Sequence, residues 1–182
     1  MIRTSESATT RGGSRGGRVR VDATDLAILR LLATDARMSF RRLARALGVS
    51  PPTITDRVAR LERLGIIRGY RVEIDRSALG FPLIVYVGVV AVQGSDQFEL
   101  VKHVREMPEV EDVHVVTGPK DLLIRLRLRD TGHLRDVLFD SLWNVPGVER
   151  TETFVSLGEM EPKSFDLFLV ETLLAGAKQQ EP

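Results

Sequence analysis

The chain has 182 residues, of which 43% are hydrophobic and 28% are charged, and its formal net charge is +1. No apolar run approaches the roughly 18 residues that span a membrane, and the N-terminus lacks the apolar segment of a secretory signal. The absence of cysteine excludes disulfides, thiolate metal sites and a cysteine nucleophile, so a cytoplasmic location is the simplest expectation.

The charge is divided unevenly along the chain. Residues 1–75 contain 15 Lys and Arg against 8 Asp and Glu, whereas residues 76–182 contain 11 against 17. This asymmetry favours two domains with different partners, and the basic one is a candidate for nucleic-acid binding. Chance clustering of charge on a solvated surface is the alternative.

Residues 1–20 hold five Arg and four Gly and almost no apolar side chain. Such a segment cannot bury enough surface to offset the entropy lost on ordering, so we expect a disordered basic tail. An inert tail is the favoured interpretation, and a loose arm that contacts DNA is the alternative.

Three short helices are predicted within residues 21–74. Asp22 and Ser39 are suitable N-caps for the first two, and Gly48 follows the second helix as a C-terminal stop. Ser50 caps the third helix, whose outward face is polar, and this order is typical of a helix-turn-helix. Residues 66–74 read as β-structure and predict a small wing.

The third helix and the wing carry the predicted contacts to double-stranded DNA. Small polar side chains at the start of a recognition helix reach base edges in the major groove, and neighbouring arginines contact phosphates. The residues assigned to these roles are Ser50, Pro52, Thr53, Thr55, Asp56, Arg57, Arg60, Arg63, Arg68 and Arg71. A solvated helix face with structural caps is the alternative.

A linker at residues 75–81 precedes a second domain at residues 82–160. Its predicted order is strand, helix, strand, strand, helix, strand, at residues 83–92, 95–107, 110–117, 122–129, 131–143 and 148–157. This βαββαβ order is ferredoxin-like, so the fold class is α+β. The two helices cover one face of the sheet, yet the first strand is apolar on both faces. We therefore expect a homodimer formed through the open sheet face, which suits a near-palindromic DNA site.

Residues 161–182 are expected to form a last amphipathic helix, from Pro162 to Lys178, and a short tail. The helix is predicted to pack on the sheet domain or on a neighbouring subunit. Three histidines, His103, His114 and His133, are far apart and show no metal-ligand spacing. No cofactor, metal or catalytic residue is expected, and the chain is not expected to be an enzyme.

Over residues 21–160 the arrangement resembles the Lrp/AsnC (feast/famine) family of transcriptional regulators. The similarity rests on Val21-Asp-Ala-Thr-Asp-Leu, on Leu47-Gly-Val-Ser followed by Arg57-Val-Ala-Arg-Leu-Glu-Arg-Leu-Gly-Ile-Ile, and on Val116-Thr-Gly-Pro-Lys-Asp. The resemblance implies a winged helix-turn-helix, a ferredoxin-like effector-binding domain, dimers that assemble into octamers or discs, and amino acids as effectors.

In that family the effector lies between dimers, near the loop that joins the second and third strands. The resemblance places it here at Thr117, Gly118, Lys120 and Asp121, with Thr151 and Thr153 of the last strand as additional contacts. Gly118 permits close backbone approach, and Asp121 can accept from an α-ammonium group. A plain hairpin turn is the alternative. Many members of the family have an aromatic residue in this loop and this sequence has none, which leaves open an effector with a negative group for Lys120, or no effector at all.

The leading hypothesis is a sequence-specific DNA-binding regulator whose assembly or DNA affinity is modulated by a small molecule. One alternative is an enzyme of the same architecture that resembles the sirohaem decarboxylases, although the basic helix and wing favour DNA. The other alternative is a nucleoid-type protein that wraps DNA with little sequence preference.

Overall fold

The computed structural model describes residues 19–160 and 163–178, which fall into two compact units. The N-terminal unit runs to Val72 and also includes the C-terminal helix, and the sheet unit begins at Glu73. Each unit has its own hydrophobic core. The first 18 positions of the predicted basic tail lie outside the described residues.

The N-terminal unit begins with three helices, α1 (Ala23–Thr34), α2 (Phe40–Leu47) and α3 (Pro51–Arg63). The predicted caps are all present, because the side chains of Asp22, Ser39 and Ser50 each accept from a backbone N–H three residues later. Gly48 ends α2 with φ at +66°, a left-handed conformation that glycine adopts without strain. The helices bury one core, which includes Ile28, Leu43, Ile54, Val58 and Leu61.

The strand predicted over residues 66–74 is not formed, and residues 68–75 have no regular secondary structure. The alternation of side chains in this segment suits a strand, but a strand also needs a neighbour to pair its backbone N–H and C=O groups. The described part of the N-terminal unit contains no second strand that would supply this neighbour.

The sheet unit contains four antiparallel strands, which are β1 (Leu83–Ala91), β2 (Val110–Val115), β3 (Leu122–Leu128) and β4 (Val148–Val155). Their order in the sheet is β2-β3-β1-β4. Helix α4 (Gln97–Glu106) follows β1, and α5 (Thr131–Asp136) follows β3 and continues as a π-helical turn and a 3₁₀ turn to residue 144. The prediction of an α+β, ferredoxin-like unit is therefore confirmed.

Aspartates cap both helices of the sheet unit. Asp96 caps α4 and Asp130 caps α5, although each lies next to a hydroxyl residue, Ser95 or Thr131, at which the sequence predicts the helix to begin. In each case the aspartate accepts a 2.8 Å hydrogen bond from a backbone N–H in the first turn of its helix. Aspartate and the hydroxyl residues are comparable N-caps, so sequence alone does not separate adjacent candidates.

The two faces of the sheet differ in their surroundings. One face is buried beneath the helices and carries Val85, Val87, Val89, Leu122, Ile124, Leu126 and Leu128. The opposite side, called the open face below, carries Ile84, Tyr86, Gly88, Leu123, Arg125, Arg127, Glu152 and Phe154. Three of its apolar members, Tyr86, Leu123 and Phe154, are between 41% and 51% exposed, whereas Ile84 is buried.

The last helix, α6 (Phe165–Lys178), packs against α1 within the N-terminal unit. The expectation that it packs on the sheet domain or a neighbouring subunit is therefore wrong for the face that contacts α1. The reason is that α1 is apolar on two sides, since Leu26 is buried although it lies roughly opposite the core residue Ile28 at about 100° per residue.

None of the helices in residues 19–160 and 163–178 has the length and apolarity needed to cross a bilayer.

Candidate nucleic-acid interface and effector loop

The outward face of α3 borders a concave surface in the N-terminal unit, and this surface encloses a volume of about 740 Å³. The segment Arg20–Asp22 and Asp25 of α1 form one side of this surface. The other side is formed by residues of α3, which are Thr53, Asp56, Arg57, Arg60 and Arg63. A concave surface that is lined by several arginines along one helix is suited to a polyanion.

A buried carboxylate holds two of these arginines. Asp25 is 1% exposed, and its Oδ1 accepts a 2.8 Å hydrogen bond from Nη1 of Arg57. Its Oδ2 accepts from Nη1 of Arg60, also at 2.8 Å, and from the backbone N–H of Asp22 at 3.2 Å. Arg57 and Arg60 therefore compensate the charge of an acid that would otherwise be isolated in the interior.

Asp22 extends this network to the end of α1. Nη1 of Arg57 lies 2.6 Å from Oδ2 of Asp22, while the other carboxylate oxygen caps α1. Partial burial acts to raise the pKa of Asp22, but the hydrogen bonds from Arg57 and from the backbone of Asp25, together with the charge of Arg57, outweigh that effect, and the pKa lies below the usual 3.8. The same hydrogen bond with Asp22, followed by that with Asp25, raises the pKa of Arg57.

The predicted DNA-contacting arginines consequently fall into two groups. Arg57 and Arg60 are engaged within the unit, and Arg60 also donates a 2.8 Å hydrogen bond to the backbone carbonyl of Arg20. Arg63, Arg68 and Arg71 are exposed and form no ion pair within the described residues. Arg68 and Arg71 lie in the irregular segment that follows α3, and not on a strand.

The first turn of α3 presents small polar groups. The Ser50 hydroxyl lies 2.7 Å from that of Thr53, and the Thr55 hydroxyl donates to the carbonyl of Pro51 at 3.1 Å. Pro52, Thr55 and Asp56 are exposed, and Thr53 is half-buried. These are the side chains that the sequence predicts at base edges, and the fold places them together on one end of one helix.

The loop between β2 and β3 is a tight connection closed by backbone hydrogen bonds. Val116 donates to the carbonyl of Asp121, and Asp121 donates to the carbonyl of Val89 on β1. Gly118 has φ at +116°, a backbone conformation that residues other than glycine rarely adopt. The loop is therefore fixed at both ends, and Thr117 and Gly118 are exposed at its tip.

The charged residues of this loop already have partners. Oδ2 of Asp121 accepts a 2.8 Å hydrogen bond from the backbone N–H of Ala91, which leaves its second oxygen available. Nζ of Lys120 lies 2.6 Å from a carboxylate oxygen of Glu152, and this pair lowers the pKa of Glu152. The Lys120 side chain lies across Gly88, where a Cβ would meet it at 3.1 Å.

The six predicted effector residues do not share one face of the sheet. Lys120 lies on the open face, because it covers Gly88. Thr151 and Thr153 pair in register with Val89 and Val87, whose side chains point toward the helices. The Thr151 hydroxyl accepts a 2.9 Å hydrogen bond from the indole N–H of Trp143. The structure therefore divides this set into a loop group and a helix-side group.

Asp25 and the ion pairs of the open face are the features that sequence reasoning missed. Asp25 lies four and seven residues before Leu29 and Leu32, so it occupies the apolar side of α1 and must find a cation there. That spacing is a usable signal. Glu111 pairs with Arg76 at 3.0 Å and with Arg125 at 2.9 Å, and no local pattern in the sequence predicts these contacts.

Comparisons with known proteins agree with this architecture. Residues 21–62 match a family model described as the AsnC-type helix-turn-helix domain, and residues 84–164 match one described as the Lrp/AsnC ligand binding domain. The leucine-responsive regulatory protein of Haemophilus influenzae is 34% identical over 147 residues, which cover 80% of this chain and 89% of that protein.

Solved structures give the same result. Escherichia coli AsnC aligns with a TM-score of 0.77 at 26% identity, covering 81% of this chain and 99% of that one. A transcriptional regulator of Neisseria meningitidis, solved in complex with L-Met, aligns with a TM-score of 0.75 at 25% identity, covering 80% and 95% of the two chains.

The helix-turn-helix and the four-stranded α+β unit together define a DNA-binding transcriptional regulator with a ligand-binding domain. The chain belongs to the Lrp/AsnC family.

Proposed function

We propose that this regulator binds double-stranded DNA at specific sites as a homodimer, with α3 in the major groove, and that a small molecule tunes its assembly or its DNA affinity. The observation that carries the proposal is the outward face of α3, where small polar groups occupy the first turn and arginines follow. A recognition helix needs this combination, because base edges are read by short polar side chains and phosphates by cations.

The Asp25 network supports a particular division of labour on that face. Arg57 and Arg60 hold α3 against α1, and so they fix the angle at which the first turn of α3 is presented. The phosphate contacts then fall mainly to Arg63 and to Arg68 and Arg71, which have no ion-pair partner within the described residues. Arg57 and Arg60 are 30% and 41% exposed, and can add a second interaction from the same position.

The composition of the open face supports the homodimer. Tyr86 and Phe154 are register neighbours on β1 and β4, and the Arg125 guanidinium lies 6.0 Å from the centre of the Tyr86 ring. Aromatic residues and arginine are the types enriched at the centres of protein interfaces. Two-fold pairing through this face would give two copies of α3 for a site with two half-sites.

The effector is proposed to bind at the β2–β3 loop, with the free oxygen of Asp121 as acceptor for an ammonium group. L-Met is bound in the related Neisseria meningitidis structure, so an amino acid is the first class to test. Lys120 is the candidate for an effector carboxylate, and it would have to leave Glu152 to reach one. Thr151 and Thr153 lie on the helix side of the sheet, so they are left out of this proposed site.

A gel-shift titration at increasing salt tests the DNA-binding proposal. A duplex from the region upstream of the protein's own gene should be retained at low salt, with log K falling linearly as log salt rises. Footprinting on the same duplex then separates regulation from wrapping, since a discrete protected site supports the first and extended periodic protection supports the second. Binding to no tested duplex at low salt would contradict the proposal.

A further inference from the structure

Helix α6 is apolar around nearly its whole circumference. Only Asp166, Glu171 and Lys178 are charged among its 14 residues. One side packs on α1 and carries Leu167, Val170, Leu174 and Ala177, which are all buried or half-buried. The opposite side is exposed, and we call it the apolar stripe; it consists of Phe165, Phe168, Leu169, Thr172, Leu173 and Gly176.

The apolar stripe is larger than scattered surface residues would explain. Phe165 and Phe168 are 68% and 63% exposed, and their ring centres are 6.1 Å apart. A helix that is hydrophobic all round is normally buried on all sides, and contiguous exposed apolar patches mark interaction sites. Packing on α1 accounts for one side of α6 only, so a second surface is needed for the other.

The shape and charge of the apolar stripe favour a second copy of the same helix. Its N-terminal end is bulky, with two phenylalanines, and its C-terminal end is small, with Thr172 and Gly176. When two copies lie antiparallel about a two-fold axis, Phe165 meets Gly176, Phe168 meets Leu173 and Leu169 meets Thr172. Each bulky residue thus faces a smaller one, and the stripe contains no charge that would be buried without a partner.

We propose that the apolar stripe of α6 packs antiparallel against the apolar stripe of a second copy of this chain. Residues 165–178 lie beyond the segments matched by the two family models, so this contact is additional to the matched architecture. A single helix stripe is smaller than the roughly 800 Å² per partner of a typical stable interface. The contact therefore joins copies that are also held by another surface, such as the proposed dimer of the open sheet face.

Disulfide cross-linking in the full chain tests the contact, because the protein has no cysteine of its own. Leu169→Cys and Thr172→Cys variants are mixed, allowed to exchange subunits and oxidised. The two thiols face each other in the antiparallel register. At about 10 µM protein the mixed disulfide should form on the order of a hundredfold faster than by random collision, since held partners have about millimolar effective concentrations.

The matched control replaces Thr172→Cys with Glu171→Cys. Glu171 is exposed on the same helix but points about 100° away from Thr172, outside the apolar stripe. This pair should cross-link only at the collisional rate. Adding Phe168→Asp to both partners of the Leu169→Cys and Thr172→Cys mixture should abolish the rapid cross-link, because it places a carboxylate inside the contact. Circular dichroism of each variant checks that α6 remains folded.

Sedimentation velocity of the parent chain separates the failure of this proposal from that of the sheet-mediated dimer. A parent that is oligomeric, with equal cross-linking at positions 171 and 172, would overturn the α6 contact and leave the dimer proposal standing. A monomeric parent without rapid cross-linking would overturn both. Rapid cross-linking at position 172 alone, lost on Phe168→Asp, is the result expected.

Discussion

Oδ2 of Asp25 and Nη1 of Arg60 are 2.8 Å apart, and they join α1 to α3 through a carboxylate that is only 1% exposed. Arg57 binds the other oxygen of the same carboxylate at the same distance. The helix that is proposed to read DNA is thus held by the charges that the sequence assigns to DNA contact. Stability and the proposed DNA recognition therefore share residues on this face, and mutations there must be designed to separate the two.

Asp25→Ala should lower the free energy of unfolding of the N-terminal unit by about 2–3 kcal/mol. Removing one partner of a buried ion pair is strongly destabilising. The loss expected here is smaller than is usual for such pairs, because both guanidinium groups that lose their partner still reach solvent. Urea unfolding followed by far-UV circular dichroism measures the change. Asp136→Ala is the control, since its exposed ion pair with Arg135 has the same 2.8 Å length and should contribute less than about 1 kcal/mol.

Arg63→Ala and Arg60→Ala should weaken DNA binding in different ways. Arg63 is exposed and has no ion pair among the described residues, so its loss should reduce the salt slope by about 1 while leaving stability unchanged. Arg60→Ala should also destabilise the unit, because Asp25 loses a partner. Gel shifts at several salt concentrations, paired with urea unfolding, measure both effects. Equal stability losses in the two variants would contradict the division proposed for α3.

Thr53→Ala should change sequence preference and not the salt slope. Thr53 lies in the first turn of α3, where a hydroxyl can reach a base edge, and losing such a contact costs about 1 kcal/mol or more for the preferred base pair only. Competition gel shifts with single-base-pair variants of the operator measure this. A uniform loss across all sequences would show that Thr53 contacts the DNA backbone.

Asp22→Asn should remove a contribution to stability that depends on pH. The folded-state pKa of Asp22 lies below the usual 3.8, because burial, which raises it, is outweighed by the combined hydrogen bonds and charge of Arg57 and the backbone hydrogen bond from Asp25. A lowered pKa stabilises the folded state above the unfolded pKa, and this stabilisation is lost as the pH falls through the folded value. The free energy of unfolding of the parent should therefore exceed that of the variant by about 0.5 kcal/mol at pH 6, and the difference should shrink as the pH falls below 3.8 toward the folded-state pKa. Asparagine retains the N-cap, so urea unfolding at both pH values isolates the charge.

The sequence predicted most of the helices and strands because their signals are local. Caps such as Asp22 and Ser50, and the alternation of leucine with arginine in β3, each act within a few residues. The strand expected at residues 66–74 shows the limit of such signals, since its formation depends on a pairing partner that no local pattern supplies. The division of the effector residues between two faces depends likewise on strand register, which sets the direction of every side chain.

Tyr86→Asp should shift the protein toward monomer if the open sheet face forms the dimer. The Tyr86 ring is 44% exposed beside Phe154, and a carboxylate there would have to share Arg125 with Glu111 and Glu159, so a two-fold contact would bury an excess of negative charge. Sedimentation velocity measures the change in mass. Phe98→Asp is the matched control, because Phe98 is 63% exposed at the start of α4, in the helical layer across the sheet. Equal effects of both substitutions would argue against the open face as the contact.

Asp121→Asn should abolish binding of an amino-acid effector while the sheet unit stays folded. Oδ2 of Asp121 accepts from the N–H of Ala91, and an asparagine oxygen can replace that acceptor, whereas the charge that would attract an ammonium group is lost. Asp121→Ala removes both, so it should also cost about 1 kcal/mol of stability by leaving the Ala91 N–H unpaired. Thermal-shift screening of the parent with the twenty amino acids identifies the ligand, and calorimetry compares the variants. Undiminished effector binding to Asp121→Asn would place the ammonium group elsewhere. Normal DNA binding by both variants, without effector, would show that these substitutions in the sheet unit do not disturb the N-terminal unit.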